Sequence, residues 1–436
     1  MNPIKIGLAG FGTVGRGTYD VLVRNQEEIR RRAGRGIEIA AIAVRNVERA
    51  RGIVGDAARV SADWQDLVND PEIDIVVEVM GGYEPARSLV LAAIAAGKHV
   101  VTANKALLAL HGNEIFAAAQ KQGVMVAFES AVAGGIPIIK ALREGLTANR
   151  IEWVVGIING TSNFILSEMR AKSLPFATVL AEAQRLGYAE ADPTFDIEGI
   201  DAAHKLTLLS SIAFGVPINF AAAHVEGISQ LAAEDIKYAE QMGYRIKLLG
   251  ITKHTAAGIE LRVHPALVPM RRLLANVEGA MNAIVVKGDA VGTTLYYGAG
   301  AGAEPTASAV IADLVDVTRM HTADPEHRVP HLAFQADRMA DTPLLPMGET
   351  VCSYYFRIRV EDRPGVLADI ARILADSSIS IEALIQREPS EGENQTDVIM
   401  LTHDAREADV SAALARIEAL PTVATSIVRL RKEELA

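Results

Sequence analysis

The sequence predicts an α/β protein of three parts: an N-terminal doubly wound parallel sheet, an α+β domain, and a small C-terminal module of order βαββαβ. Three observations carry that prediction. Short apolar runs alternate with helical stretches over roughly the first third of the chain, a glycine-rich turn separates the first run from the first helix, and the pattern changes near residue 137 and again over 336–350. At 436 residues the chain exceeds what one hydrophobic core usually fills, and half of it is hydrophobic, so several cores are expected.

Taken in order, runs 4–9, 37–44, 73–80, 99–102 and 124–128 are strand-like, with helical stretches such as 85–96 between them. That alternation is the pattern of parallel strands joined by crossover helices. From Pro137 onward, helices at 137–146, 162–171 and 175–186 accompany a strand at 151–158, and Pro137 and Pro175 stand where a first helical turn tolerates a missing N–H. A glycine-rich loop at 298–302 precedes a helix at 304–319 that can return the chain to the first domain. Residues 336–350, with Pro343, Pro346 and Gly348, read as a linker. Beyond it, strands at 354–360, 379–386, 397–402 and 423–430 and helices at 366–375 and 409–420 give the βαββαβ order. The expected boundaries are 1–133 for the first domain, completed by about 300–335, then 134–299, the linker 336–350, and 351–436.

Composition excludes several classes of function. No apolar run approaches the roughly 18 residues of a bilayer span, and the N-terminus opens on a strand-like run instead of a charged-then-apolar leader, so no membrane association and a cytoplasmic location are expected. The net charge of -11 opposes nucleic acid and anionic membranes. Arg30, Arg31, Arg32 and Arg35 form the one basic cluster, and with glutamates around them they read as a solvated helix end. The single cysteine, Cys352, forbids an internal disulfide or a cysteine-built zinc site and is read as a buried small hydrophobe.

Gly10-Phe11-Gly12-Thr13-Val14-Gly15 matches the G-x-G-x-x-G pattern and lies, as its mechanism demands, after a strand and at the start of a helix. Gly10 makes the tight turn, Gly12 admits backbone close to a pyrophosphate, and Gly15 lets helix lie on strand. The diphosphate would rest on the helix N-terminus, where free N–H groups and the dipole favour negative charge. This predicts a Rossmann crevice for a nicotinamide dinucleotide. The second strand ends in Ala43-Val44-Arg45-Asn46, with no acid for a ribose 2′-hydroxyl; Arg45 suits a 2′-phosphate, so NADP is expected to be accepted, with NAD as the other option.

A fold does not fix a reaction, which must come from the second domain. Its densest polar segment, 187–206, holds Glu190, Asp192, Asp196, Glu198 and Asp201 together with Lys205, framed by apolar helices. If 199–206 is helical, Asp201 and Lys205 lie one turn apart on one face. A lysine held beside acids can exchange a proton with an alcohol or aldehyde oxygen while hydride moves at carbon, and spare carboxylates can pair with a substrate ammonium. The same spacing also describes an ordinary surface ion pair. His204 points to another face and reads as a core histidine.

With those residues in view, the chain resembles the homoserine dehydrogenases. The resemblance rests on Gly-Tyr-Ala-Glu-Ala-Asp-Pro-Thr at 187–194 with Asp196, Asp201 and Lys205 beyond it, and on Asn159-Gly160-Thr161-Ser162-Asn163, Thr102-Ala103-Asn104-Lys105 and Gly134-Gly135-Ile136-Pro137. It runs from the first residue to about 330, and the C-terminal module, with Asp362-Arg363-Pro364-Gly365-Val366-Leu367, resembles an ACT domain. The resemblance implies reversible NAD- or NADP-dependent oxidation of L-homoserine to L-aspartate 4-semialdehyde, in the pathway to threonine and methionine. It implies that 134–299 binds substrate and dimerises. Lys205 would be the acid/base, assisted by Lys105; Glu190, Asp196 and Asp201 would line the homoserine pocket; Thr13, Val14, Arg45, Lys105, Gly187 and Gly302 would meet the cofactor. It further implies a monovalent cation, Na+, near Glu129, Val132, Gly134 and Ile136, mainly on main-chain carbonyls. Feedback by L-threonine through the ACT-like domain and a homodimer or homotetramer complete the expectation. Two other readings stay open on the residues: a dehydrogenase of another small amino or hydroxy acid, and a non-catalytic sensor of amino acid or redox state.

Overall fold

The computed structural model describes residues 2–386, 389 and 393–435. The chain divides into two compact units. The first comprises residues up to Gly160, Asp201–Ala223 and Ala280–Thr342, and the second comprises Thr161–Ile200, His224–Gly279 and the chain from Pro343 onward.

The first unit is built on a six-stranded parallel sheet whose spatial order is Arg59–Ser61, Ile37–Ala43, Ile4–Ala9, Ile75–Glu78, His99–Thr102, Val126–Ala127. The order reverses direction at Ile4–Ala9, which puts a crevice outside the carboxyl ends of the first and fourth strands. Every residue of the fourth and fifth strands is buried, because helices cover both faces of such a sheet. Val310 and Leu314 of helix Ala303–Met320 join Ile4, Ile6 and Leu8 in one core, so the late helix does return to the first domain. Its start lies against helix Thr13–Arg24: a Cβ on Gly17 would come within 2.5 Å of the Ala303 carbonyl oxygen. The unit also contains an antiparallel run of strands Ile151–Ile157, Met281–Gly288 and Gly292–Ala299.

In the second unit the hairpin Tyr244–Thr255/Gly258–Pro269 is continued by strand Val428–Lys432, which pairs in parallel with it through Ala266–Arg431 and Leu267–Lys432. On its other edge Val428–Lys432 pairs antiparallel with Val351–Glu361, followed by Gln395–Thr402 and Ile381–Gln386. Helices Val366–Asp376 and Glu407–Glu418 cover the C-terminal part, giving the predicted βαββαβ order with its own core around Tyr354, Phe356, Ile370 and Ile417.

Several expected elements change in extent. The strands at 73–80 and 124–128 shorten to Ile75–Glu78 and Val126–Ala127, because their ends turn into the loops that carry Met80, Gly81 and Glu129. The last strand starts at Val428 instead of 423; Val423 keeps a single bridge to Val360, and the register begins at Val428–Arg357. Pro137 and Pro175 cap their helices from one residue outside the first turn, and the first of these helices widens to a π turn at Ala141–Gly145. Arg31 and Arg32 pair with Glu28 on the solvated helix Gln26–Ala33, and Cys352 is buried, both as expected. Among the described residues no helix is long and apolar enough to cross a membrane.

Candidate active site

The glycine turn fits a dinucleotide. Gly10 has φ +100°, and a Cβ there would lie 2.7 Å from the Val79 carbonyl oxygen; a Cβ on Gly15 would run into the Gly10 carbonyl, whereas the space over Gly12 is open. Helix Thr13–Arg24 starts with no side-chain cap and no acid in its first turn, leaving its N–H groups and dipole for an anion. The Gly10 N–H donates to Ala43 O, which places Arg45, exposed two residues past the second strand, on the same rim. Gly302, at φ +133°, caps the helix whose start touches Gly17.

Lys105 is placed by a relay of small polar groups. Glu78, fully buried at the fourth strand's end, accepts from the Thr102 hydroxyl at 2.7 Å and from the Met80 and Gly81 N–H groups. Thr102 Oγ1 in turn accepts from Asn104 N, and Asn104 Oδ1 accepts from Leu107 N, capping helix Lys105–Gln122 with Lys105 as its first residue. Burial pushes the Glu78 carboxyl above its usual range despite these donors.

The predicted helix at 199–206 is the start of Ile200–Phe214, and its polar pair is not a surface one. Asp201 and Lys205 are 6% and 8% exposed, and Lys205 Nζ donates to Asp201 Oδ2 at 2.7 Å and to the Ile158 carbonyl at 2.8 Å. Lys105 Nζ approaches the other oxygen, Asp201 Oδ1, at 3.2 Å. Asn159 Nδ2 donates to Asp201 Oδ2 at 2.9 Å. Burial alone would raise the Asp201 carboxyl; the two lysine charges and these hydrogen bonds outweigh it and hold the group far below the usual carboxylate range. His204, as expected, is a core residue: it lies 4.4 Å from the Phe220 ring and burial lowers it to about 4.

Three further residues singled out from the sequence belong to the second unit. Gly187 closes helix Phe176–Leu186 at φ +80°. Glu190 is exposed, its carbonyl accepting from Gln184 Nε2, and Asp196 lies in the short helix Thr194–Ile197 with its carbonyl accepting from Ser162 Oγ. Thr161 Oγ1 donates to Tyr188 O at 2.7 Å, so the start of helix Gly160–Lys172 holds the 187–196 loop through two hydroxyls.

The segment 129–136 is buried except for Gly135, with Ala133 and Gly134 in the left-handed region. Glu129 accepts the N–H groups of Ile139 and Lys140, and burial together with the Asp313 charge raises its carboxyl to about 7. Both oxygens of that carboxylate are thus taken by backbone N–H groups, and among the described residues there is no cluster of His, Cys, Asp or Glu that could hold a metal ion.

The comparisons with known proteins decide the family. A profile described as homoserine dehydrogenase matches residues 137–315, the NAD-binding domain of homoserine dehydrogenase matches 10–129, and an ACT domain matches 354–422. A homoserine dehydrogenase of Pseudomonas aeruginosa is 60% identical over 437 residues, covering 100% of both chains. The chain belongs to the homoserine dehydrogenase family. The crystal structure of a homoserine dehydrogenase from Thiobacillus denitrificans superposes with a TM-score of 0.96 at 68% identity, covering 100% of this chain and 99% of that one. A hyperthermophilic archaeal homoserine dehydrogenase solved in complex with NADPH matches at a TM-score of 0.63 and 27% identity, over 72% of this chain and 98% of that one. As a homoserine dehydrogenase family member the chain is a nicotinamide-dependent oxidoreductase with an ACT domain.

Asn159 stands in a motif that by itself assigns it no role, and neither the Ile158 carbonyl nor buried Glu78 carries a signal in the sequence. These partners sit at strand ends, and only folding brings Asn159 to Asp201, 42 positions along the chain.

Proposed function

We propose that this chain catalyses the reversible oxidation of L-homoserine to L-aspartate 4-semialdehyde, with NADP accepted at Arg45 and NAD as the alternative, in a cytoplasmic route to threonine and methionine. The observation that carries the chemistry is the buried Lys205 with Asp201 and Lys105 around it. The nicotinamide ring, when bound across the glycine turn, supplies the hydride acceptor. In its neutral form Lys205 has two N–H groups, engaged by Asp201 and the Ile158 carbonyl, so its lone pair points in the remaining tetrahedral direction. That lone pair takes the substrate hydroxyl proton as hydride leaves carbon, and Asp201 stabilises the ammonium formed. In the reverse direction the third N–H of the ammonium donates to the aldehyde oxygen. Lys105 assists from the far oxygen of Asp201, and Glu190 and Asp196 pair with the substrate ammonium. Thr13, Val14, Gly187 and Gly302 contact the cofactor.

Residues 1–133 with 300–335 bind the dinucleotide, 134–299 bind substrate and dimerise, 336–350 link, and 351–436 regulate. Na+ sits on Glu129, Val132, Gly134 and Ile136 in a structural role, L-threonine is the effector, and the assembly is a homodimer or homotetramer. The test is direct: purified protein with L-homoserine and NADP or NAD should reduce the cofactor, measured by absorbance, and added L-threonine should slow it. Folded protein that turns over neither homoserine nor any other amino alcohol would defeat this reading.

A further inference from the structure

The proton-transfer lysine is held by two consecutive backbone positions at the end of strand Ile151–Ile157. The Ile158 carbonyl takes one N–H of Lys205, and the Asn159 side chain donates to the oxygen of Asp201 that Lys205 also uses. Asn159 is 4% exposed, and it is neutral where a third cation would have completed the same contact. Its orientation is fixed by chemistry, because a carboxylate is acceptor-only and only the amide nitrogen can face it.

We propose that Asn159 is a positioning residue for the proton transfer: its amide pins Asp201 Oδ2 so that the carboxylate bridges Lys205 on one oxygen and Lys105 on the other. This rests on the reading of Lys205 as the acid/base. Two consequences follow from the geometry. Without the amide the carboxylate can rotate about its Cβ–Cγ bond and share its oxygens differently between the lysines, so the direction of the Lys205 lone pair is no longer set. The amide's positive end also draws on the charge of Asp201; without it Lys205 feels a more negative neighbour and holds its proton more tightly. A base that must be unprotonated to act then needs a higher pH, so the ascending limb of homoserine oxidation moves upward.

The experiment uses the full-length protein and reads kcat for homoserine oxidation across pH, with binding of the reduced dinucleotide followed by its fluorescence. Asn159→Ala should lower kcat about tenfold to a hundredfold, the worth of one buried hydrogen bond to a charge. The limb should shift upward by roughly half a unit to one unit, with dinucleotide affinity unchanged. Asn159→Asp keeps the side chain's shape and replaces the donor with an acceptor, so it should lose at least as much at neutral pH. In an Asp201→Asn background, Asn159→Ala should cost little further, since the residue acts through that carboxylate. A limb that stays in place in both single variants, or a full additional loss in the Asp201→Asn background, would overturn the assignment. Each value is read against the parent enzyme, so a parent that never oxidises homoserine is recognised separately as failure of the underlying reading.

Discussion

At Lys205 two of three directions are already taken, and the third is where chemistry can occur. Lys205→Ala should therefore reduce turnover by roughly 10²- to 10⁴-fold while leaving dinucleotide binding intact, with steady-state rates and cofactor fluorescence as the paired measurements. If the variant stays near the parent rate, the acid/base role passes to Lys105. Arg45 tests a separate point: Arg45→Asp should weaken NADP more than NAD in competitive titrations, and equal weakening would remove the 2′-phosphate assignment. The Asp201–Lys205 pair was legible in the sequence because four residues of helix bring its members together. Its burial was not, since the same spacing describes any solvated ion pair. Contacts such as Asn159 to Asp201 were out of reach for the same reason: they join a strand end to a helix start, and no local pattern encodes that distance.

Whole elements were read well where a short apolar run or an amphipathic helix stands between clear turn signals, and poorly elsewhere. Strand Ile4–Ala9 and helix Val366–Asp376 stand where the apolar pattern put them. Strand Gly258–Pro269 was not drawn from the sequence although Ile259, Leu261 and Val263 alternate with Glu260, Arg262 and His264; that pattern marks a half-exposed strand, whereas all twelve of its residues are buried. The edge strand Arg59–Ser61 was missed because three partly exposed residues carry almost no pattern. Capping works at this scale too. Asn104→Ala removes both the cap on Leu107 N and the bond to Gly82 O, and should lower stability by about 1 kcal/mol in denaturant unfolding. Because Lys105 is the next residue, kcat/KM should fall with it; an unchanged kcat/KM would show that Lys105 needs no fixed helix start.

Across the molecule, the C-terminal module is joined to the rest of the second unit by charge as well as by strand pairing. Arg431, wholly buried, donates to Glu226 at 2.7 and 2.9 Å and to Glu407 at 2.8 Å, while Arg357 makes a two-pronged contact with buried Asp235. Burial pushes both glutamates up, but His224 and Arg431 hold Glu226 well below its usual range, and Arg431 above all holds Glu407 down. Carboxyls lowered in the folded state contribute stability above their unfolded value of about 4.3, and that contribution disappears as pH falls through the folded values. Arg431→Leu removes four buried hydrogen bonds to the two carboxylates and leaves them only the half-exposed Arg429 and His224, a loss of about 3 kcal/mol. Its melting temperature should lie furthest below the parent above about pH 5, and the gap should close only well below about pH 4, where the parent's lowered carboxyls take up protons. A constant gap at every pH would mean that Arg431 acts through shape alone.

The shared strand Val428–Lys432 has a further outcome for how the protein ages. It is hydrogen-bonded to the hairpin on one edge and to its own module on the other, so a protease that nicks the chain around 336–350 cuts a tether and not the attachment. The two fragments should travel together through gel filtration until denaturant separates them, and the freed margin of the hairpin, with bare amides at Ala266 and Leu267, would then become an adhesive surface for other chains.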